Sequence, residues 1–94
     1  MLDAASGLRD SVERSRFELD VDGQIVFANY RRDPDVLVIT YVYAPPHLRG
    51  TGAAGRLMEQ VARRARTDNV RIKAICGYAW AWLRRHPAYR DLLD

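Results

Sequence analysis

From Arg16 to Val21 the chain alternates. Phe17, Leu19 and Val21 fall on one face, and Arg16, Glu18 and Asp20 on the other. A period of two is the pattern of a half-buried strand. Asp22-Gly23 follows, a pair suited to a two-residue hairpin turn, and Gln24 to Arg31 is the expected return strand. Asp33-Pro34-Asp35 marks another turn. From Val36 to Ala44 the run Val-Leu-Val-Ile-Thr-Tyr-Val-Tyr-Ala places apolar residues on both faces. It predicts a central strand covered on both sides.

Pro45-Pro46 ends that strand, and the period changes. Leu57, Met58, Val61, Ala62 and Ala65 form one stripe at helical spacing, with Arg56, Glu59, Gln60, Arg63 and Arg64 outside it. This predicts an amphipathic helix from about Gly52 to Thr67, closed by Asp68-Asn69. Val70 to Ile75 reads as a short strand ending at Cys76-Gly77, and Ala79 to Arg85 as a short helix stopped by His86-Pro87. Tyr89 to Leu93 is expected to form a last turn. Trp80 and Trp82, two positions apart on that helix, point to opposite faces, so one belongs in the core and the other outside it.

Three antiparallel strands, a strand–helix–strand crossover and a helix make an α+β fold with a mixed, mostly antiparallel sheet. The crossover from Val36–Ala44 to Val70–Ile75 is expected to be parallel and right-handed. The 94 residues fit one domain, at ~100–200 residues per domain, expected over residues 8–94. Residues 1–7, with their Ala-Ala-Ser-Gly, are expected to fray. No apolar run approaches the ~18 residues of a membrane span, and Met1 to Asp10 lacks the apolar stretch of a secretion signal. Cys76 is the single cysteine, which excludes an internal disulfide and a multi-cysteine zinc site; no metal is expected, and a cytoplasmic setting fits. The net charge is +3, and Lys73 is the one lysine among 15 basic residues. The arginine bias suits phosphate, whose oxygens match the guanidinium fork, but it is equally what a compositional bias produces.

The most informative segment is Pro45-Pro46-His47-Leu48-Arg49-Gly50-Thr51-Gly52-Ala53-Ala54-Gly55-Arg56, which joins a buried strand to the amphipathic helix. Small residues there let backbone N–H groups approach a ligand, and the helix N-terminus adds partial positive charge, so the segment suits an anion. The bland alternative is a tight strand-to-helix turn, against which the repeated glycines count. Gly50-x-Gly52-x-x-Gly55 satisfies a dinucleotide fingerprint literally. However, five residues separate it from the strand, and no acid ends the next strand at Ala74-Ile75-Cys76. As a Walker loop it fails because Arg56 replaces the lysine and Leu57 the Ser/Thr.

Arg49-Gly50-Thr51-Gly52-Ala53-Ala54 instead resembles the R-x-x-G-x-G/A coenzyme A pyrophosphate loop of the Gcn5-related N-acetyltransferases. Cys76-Gly77-Tyr78, followed by His86-Pro87-Ala88-Tyr89-Arg90-Asp91-Leu92, resembles the C-x-[YF] and terminal H-P-x-Y-x-D-L of the family's miniature members. The likeness runs from about Leu8 to Leu93. Two departures stand out: Tyr41-Val42-Tyr43-Ala44 replaces the family's frequent His-Thr-x-Val, and Ala74 replaces a frequent proline.

The resemblance implies a minimal acyl-CoA N-acyltransferase-like fold that binds acetyl-CoA and transfers its acetyl group to an amine, on a protein or elsewhere. Val42, Tyr43 and Ala44 would meet the pantetheine arm. Backbone N–H groups of Leu48, Arg49, Gly50, Thr51, Gly52, Ala53 and Ala54 would hold the pyrophosphate. The thioester would lie near Cys76. That residue reads either as a small buried hydrophobe or as a thiol activated by a helix N-terminus, which takes the acetyl group and passes it on. His86 is too far along to serve it as a base: ten residues of helix span ~15 Å. Packing or capping at the helix C-terminus suits His86 better. His47 flanks the loop. Tyr78 and Tyr89 are candidate proton donors to a departing thiolate, as tyrosine is in larger relatives. The tight Asp22-Gly23 turn stands where larger relatives insert helices that wall the acceptor site, so an open site suited to a macromolecular acceptor is expected. Two readings stand beside catalysis: a non-catalytic acyl-CoA-binding module, and a basic nucleic-acid-binding module using the helix Arg56–Arg66.

Overall fold

The computed structural model describes residues 7–94, so the fraying expected of residues 1–6 lies outside the described residues. Five strands form one sheet in chain order: β1 (Leu8–Ser11), β2 (Arg16–Val21), β3 (Gln24–Asp33), β4 (Val36–Tyr43) and β5 (Arg71–Ala74). The first four are antiparallel, and β5 lies parallel to β4, as a crossover through helix α1 (Ala53–Thr67) requires. Helix α2 (Gly77–Arg85) and a 3₁₀ turn at Arg90–Leu92 close the chain. The mixed α+β class, the hairpin and the crossover are as the sequence pattern predicts. Asp22 (φ 54°) and Gly23 (φ 81°) both take the left-handed region that a type I′ hairpin needs.

Both helices pack on one face of the sheet. A single core joins Phe17, Val26, Leu37, Ile39 and Ile72 to the buried stripe of α1 and to Ala79, Trp82 and Leu83 of α2. All five residues of the expected α1 stripe are buried, and Trp82 is buried while Trp80 remains 46% exposed. The chain's end adds a cover: Leu93 bridges to Ile72, and the Asp94 N–H donates to the Ile72 carbonyl at 2.8 Å, flanking β5 on its outer side.

Several expectations are corrected. The antiparallel part has four strands, because Leu8–Ser11 pairs with Arg16–Leu19 although its sequence, Leu-Arg-Asp-Ser, carries no alternation. Glu18 sits on the outer face as expected, yet it is only 2% exposed, because arginines from β1, the following turn and its own strand close over it. Strand β4 is covered on both faces only from Leu37 to Ile39; Thr40 and Tyr41 are exposed, and β3 holds the middle place in the sheet. Helix α1 begins at Ala53 with Gly52 as its N-cap, α2 begins two residues early at Gly77, and β5 spans only Arg71–Ala74. Among the described residues no helix is long and apolar enough to cross a membrane, and no group of three or more His, Cys, Asp or Glu side chains is placed to hold a metal.

Candidate functional site

A β-bulge sets up the site. Asn29 pairs with Tyr41 but Tyr30 pairs with Ile39, so Thr40 is an extra residue on β4. A bulge bends its strand and sharpens the local twist. The pairing of β4 with β5 stops at this point, at Ile39 and Ala74. The N–H groups of Ile75 and Cys76 both turn in to the Ile39 carbonyl, at 3.0 and 3.2 Å, which steers the chain off the sheet into α2. Past Ile39, β4 runs on as Thr40–Tyr43 with β3 on one side and, among the described residues, no strand on the other. A cleft of about 660 Å³ opens in that gap. This is within the ~300–1,000 Å³ typical of small-molecule sites.

One wall of the cleft is the end of β4, with Tyr41, Val42, Tyr43 and Ala44. The loop after it forms the floor. Pro46–Leu48 makes a 3₁₀ turn, in which the Leu48 N–H donates to the Pro45 carbonyl (2.9 Å) and the Arg49 N–H to the Pro46 carbonyl (3.2 Å). The Thr51 N–H donates to the Leu48 carbonyl at 3.2 Å. Gly50 (φ 84°) and Gly52 (φ 90°) take left-handed backbone, which a residue with a Cβ adopts only under strain. The path brings the first residues of α1 into the cleft lining. The N–H groups of Gly50, Gly52, Ala53, Ala54 and Gly55 have no acceptor among the described residues, and Arg56 makes the first helical bond, to the Gly52 carbonyl at 3.0 Å. A helix N-terminus with five unspent donors carries partial positive charge without any charged side chain.

The Arg49 side chain turns back onto the strand. Its Nε donates to the Ala44 carbonyl at 2.8 Å, and its guanidinium lies 5.6 Å above the centroid of the Tyr43 ring, so it braces the loop against the end of β4. The third glycine has a packing role that spacing alone does not reveal. A Cβ on Gly55 would lie 3.4 Å from Trp82 Nε1 and 3.8 Å from the Tyr78 hydroxyl, so its absence lets α1 and α2 approach.

Tyr78, in the first turn of α2, lines the cleft and is 41% exposed. Burial pushes its phenol above the ordinary tyrosine value, with the Arg85 charge opposing. Cys76 is the N-cap of α2 and packs against the core; it is absent from the cleft lining. The cleft thus brings together ten of the twelve residues singled out, Tyr78 among them; Cys76 and Thr51 do not line it, and Thr51 instead ties its N–H and hydroxyl to the Leu48 carbonyl. Tyr41 and Gly55 line the cleft as well and were not singled out; the bulge that exposes Tyr41 has no local signature.

The C-terminal motif lies away from the cleft and holds the helices together. His86 stacks on Trp82 (centroids 3.8 Å apart, 16° between planes), and its Nδ1 lies 2.6 Å from the Trp82 carbonyl, the helix-end packing role expected of it. The Tyr89 hydroxyl donates to Glu59, and Arg66 grips Asp91 with two bonds of 2.9 and 3.1 Å. His47 is exposed on the 3₁₀ turn.

Residues 16–92 match the family model described as GCN5-related N-acetyl-transferase. The chain belongs to that family. The match begins at β2, so β1 precedes the segment shared with other GCN5-related N-acetyltransferases. No curated protein matches the chain.

Proposed function

We propose that this GCN5-related family member binds acetyl-CoA in the β4–α1 cleft and transfers its acetyl group to an amine. The observation that carries the reading is the meeting, in one cleft, of five unspent N–H groups with the unpaired edge of Tyr41–Tyr43. A diphosphate needs converging donors and no side chain in the way. A Cβ at Gly50 or Gly52 would meet nothing within 4 Å, so that side of the loop is open. Gly50, Gly52, Ala53 and Ala54 are the donors for the pyrophosphate. Leu48, Arg49 and Thr51 shape the loop, since their own N–H groups are spent within it. Val42, Tyr43 and Ala44 offer a strand edge to the amide-bearing pantetheine arm.

The bound thioester supplies an activated acetyl group. The chain supplies position and a proton. An amine nitrogen bonds to the acetyl carbon as the carbon–sulfur bond breaks. The Tyr78 hydroxyl, facing the cleft, gives its proton to the leaving sulfur, and the proton released by the acylated nitrogen returns to Tyr78 through solvent. A raised phenol pKa keeps that proton in place at neutral pH. Tyr78 in the cleft lining, with Cys76 behind it against the core, favours this direct route over an acetyl-cysteine intermediate. The nucleic-acid reading loses support, because Arg63 and Arg66 of the basic helix are engaged by Glu59, Tyr89 and Asp91. Titration calorimetry with acetyl-CoA and desulfo-CoA tests the reading. Binding of both is expected, and no heat at millimolar ligand would end it.

A further inference from the structure

Both helices cover one face of the sheet, and among the described residues no helix covers the other, although Val38 and Glu18 on it are buried. Alternation along the strands places Arg9, Arg16, Arg31 and Lys73 on it, with Arg14 and Arg49 reaching over it. The acids there are Glu18, Asp20 and Asp33, the last paired with Arg31 at 3.6 Å, with Glu13 of the turn close to Arg9 and Arg14. Glu18 is enclosed beneath Arg9, Arg14 and Arg16, so three guanidinium groups converge on one buried carboxylate, and with Glu13, Asp20 and Asp33 counted the six bases named still outnumber four acids. Next to them runs an aromatic row. Arg16 lies 4.1 Å above the Phe27 ring, Phe27 stacks on Tyr43 at 5.2 Å, and Tyr41 stands 6.3 Å from Phe27 and is 50% exposed. Tyr41 and Tyr43 also line the cleft, so the row leads from the arginine cluster to the cleft mouth.

We propose that this helix-free face docks the acceptor as a polypeptide, one that is acidic around its acceptor amine. The inference rests on the acetyl-transfer reading and adds the substrate class. Arginines already ordered by Glu18 present their remaining N–H groups to carboxylates without first being immobilised. A second copy of the chain would bring like charge to like. A single-stranded nucleic acid needs open ring faces for its bases, whereas Arg16 covers Phe27 and Arg49 covers Tyr43, leaving Tyr41 alone.

The test is fluorescence anisotropy on the full chain with CoA present, using three probes: a glutamate-rich peptide with one central lysine, the same peptide with glutamine for glutamate, and an oligothymidylate of equal charge. The acidic peptide should bind about tenfold more tightly than the glutamine version and weaken with salt. The double variant R14E/R31E changes two exposed side chains remote from the loop. It should cost the acidic peptide about tenfold in affinity while circular dichroism and CoA binding stay unchanged. In an acetylation assay the acidic peptide should be the better acceptor. Equal binding of the two peptides, tighter binding of the oligothymidylate, or dimerisation through this face on sedimentation would each overturn the proposal. Loss of CoA binding with charge-dependent peptide binding intact would overturn the acceptor role and the acetyl-transfer reading, and leave an acidic-peptide surface.

Discussion

The Tyr89 hydroxyl donates to Glu59 Oε2 at 3.1 Å, linking the chain's last segment to the middle of α1 across 30 positions. Arg63 Nε approaches the same hydroxyl at 3.4 Å, and the Tyr89 ring stacks beside Trp82 at 5.9 Å. The C-terminal His-Pro-x-Tyr-x-Asp-Leu segment is therefore a clamp. His86 and Tyr89 hold Trp82, Asp91 holds Arg66, and Leu92 fills the core. Because Trp82 lies against Gly55, the clamp also fixes the distance between the two helices that flank the cleft.

Tyr89→Phe keeps the ring and removes the bond. A typical net hydrogen bond contributes about 1 kcal/mol, which in a domain of this size lowers the Tm by about 4–8 °C. Thermal melts should show that drop, with CoA affinity little changed at a temperature where both proteins are folded. A melt identical to wild type would remove the hydroxyl from the clamp.

Glu18 sets the acid limit. Hydrogen bonds from Arg9 and Arg16 lower its carboxyl from 4.5 to about 2, against the opposing effect of burial. A depressed pKa contributes stability that is full above 4.5 and is lost as the pH falls through about 2. The shift corresponds to at most about 3 kcal/mol, and less in salt, because the arginines are exposed and screened. Glu18→Gln should flatten the stability curve between those pH values and destabilise the chain at neutral pH. Chemical denaturation at several pH values measures both, and parallel curves for the two proteins would assign the acid limit elsewhere.

Gly52 tests the loop. Its φ of 90° penalises any side chain, by about 1–2 kcal/mol, although the space beside it is open. Gly52→Ala should therefore cost stability and only modest CoA affinity. Gly52→Asp adds a carboxylate beside the N–H groups proposed to hold the pyrophosphate, and should weaken CoA at least tenfold, ~1.4 kcal/mol. Calorimetry on both folded variants separates strain from charge. Equal affinity of Gly52→Asp and Gly52→Ala would move the anion site elsewhere.

Local pattern made most of the fold legible. The Arg16–Val21 alternation, the Asp22-Gly23 turn and the α1 stripe each carry their own period or turn chemistry, and each appears where expected. Features made by distant partners were not legible. The enclosure of Glu18 needs Arg9 from another strand and Arg14 from the intervening turn. The bulge at Thr40 is a register slip between β3 and β4, and nothing in Ile-Thr-Tyr announces it. The same holds at the site. The loop glycines stand out by spacing, but Gly55 faces a tryptophan 27 positions on, so only the packed helices show that it serves their contact. Cys76 and Tyr78 are two residues apart and look equivalent in sequence. The turn of α2 sends Tyr78 into the cleft lining and Cys76 against the core.

That divergence separates two mechanisms. If Tyr78 delivers the proton to the leaving thiolate, Tyr78→Phe should reduce kcat by about a hundredfold or more and leave the KM for acetyl-CoA near its wild-type value, since the ring still packs. The pH profile adds a sign. The acid must be protonated to act, and burial raises its pKa, so wild-type activity should hold through neutral pH and fall only above the ordinary tyrosine range; Tyr78→Phe should lose that alkaline fall. Cys76→Ala should remain active with CoA affinity intact, showing at most a small loss of stability from its contact with the core. Incubation of wild type with acetyl-CoA and no acceptor should then leave no hydroxylamine-labile acetyl group on Cys76. An inactive Cys76→Ala together with an acetyl group mapped to Cys76 would replace direct attack with the covalent route, because a residue that only packs has no reason to carry the acetyl group.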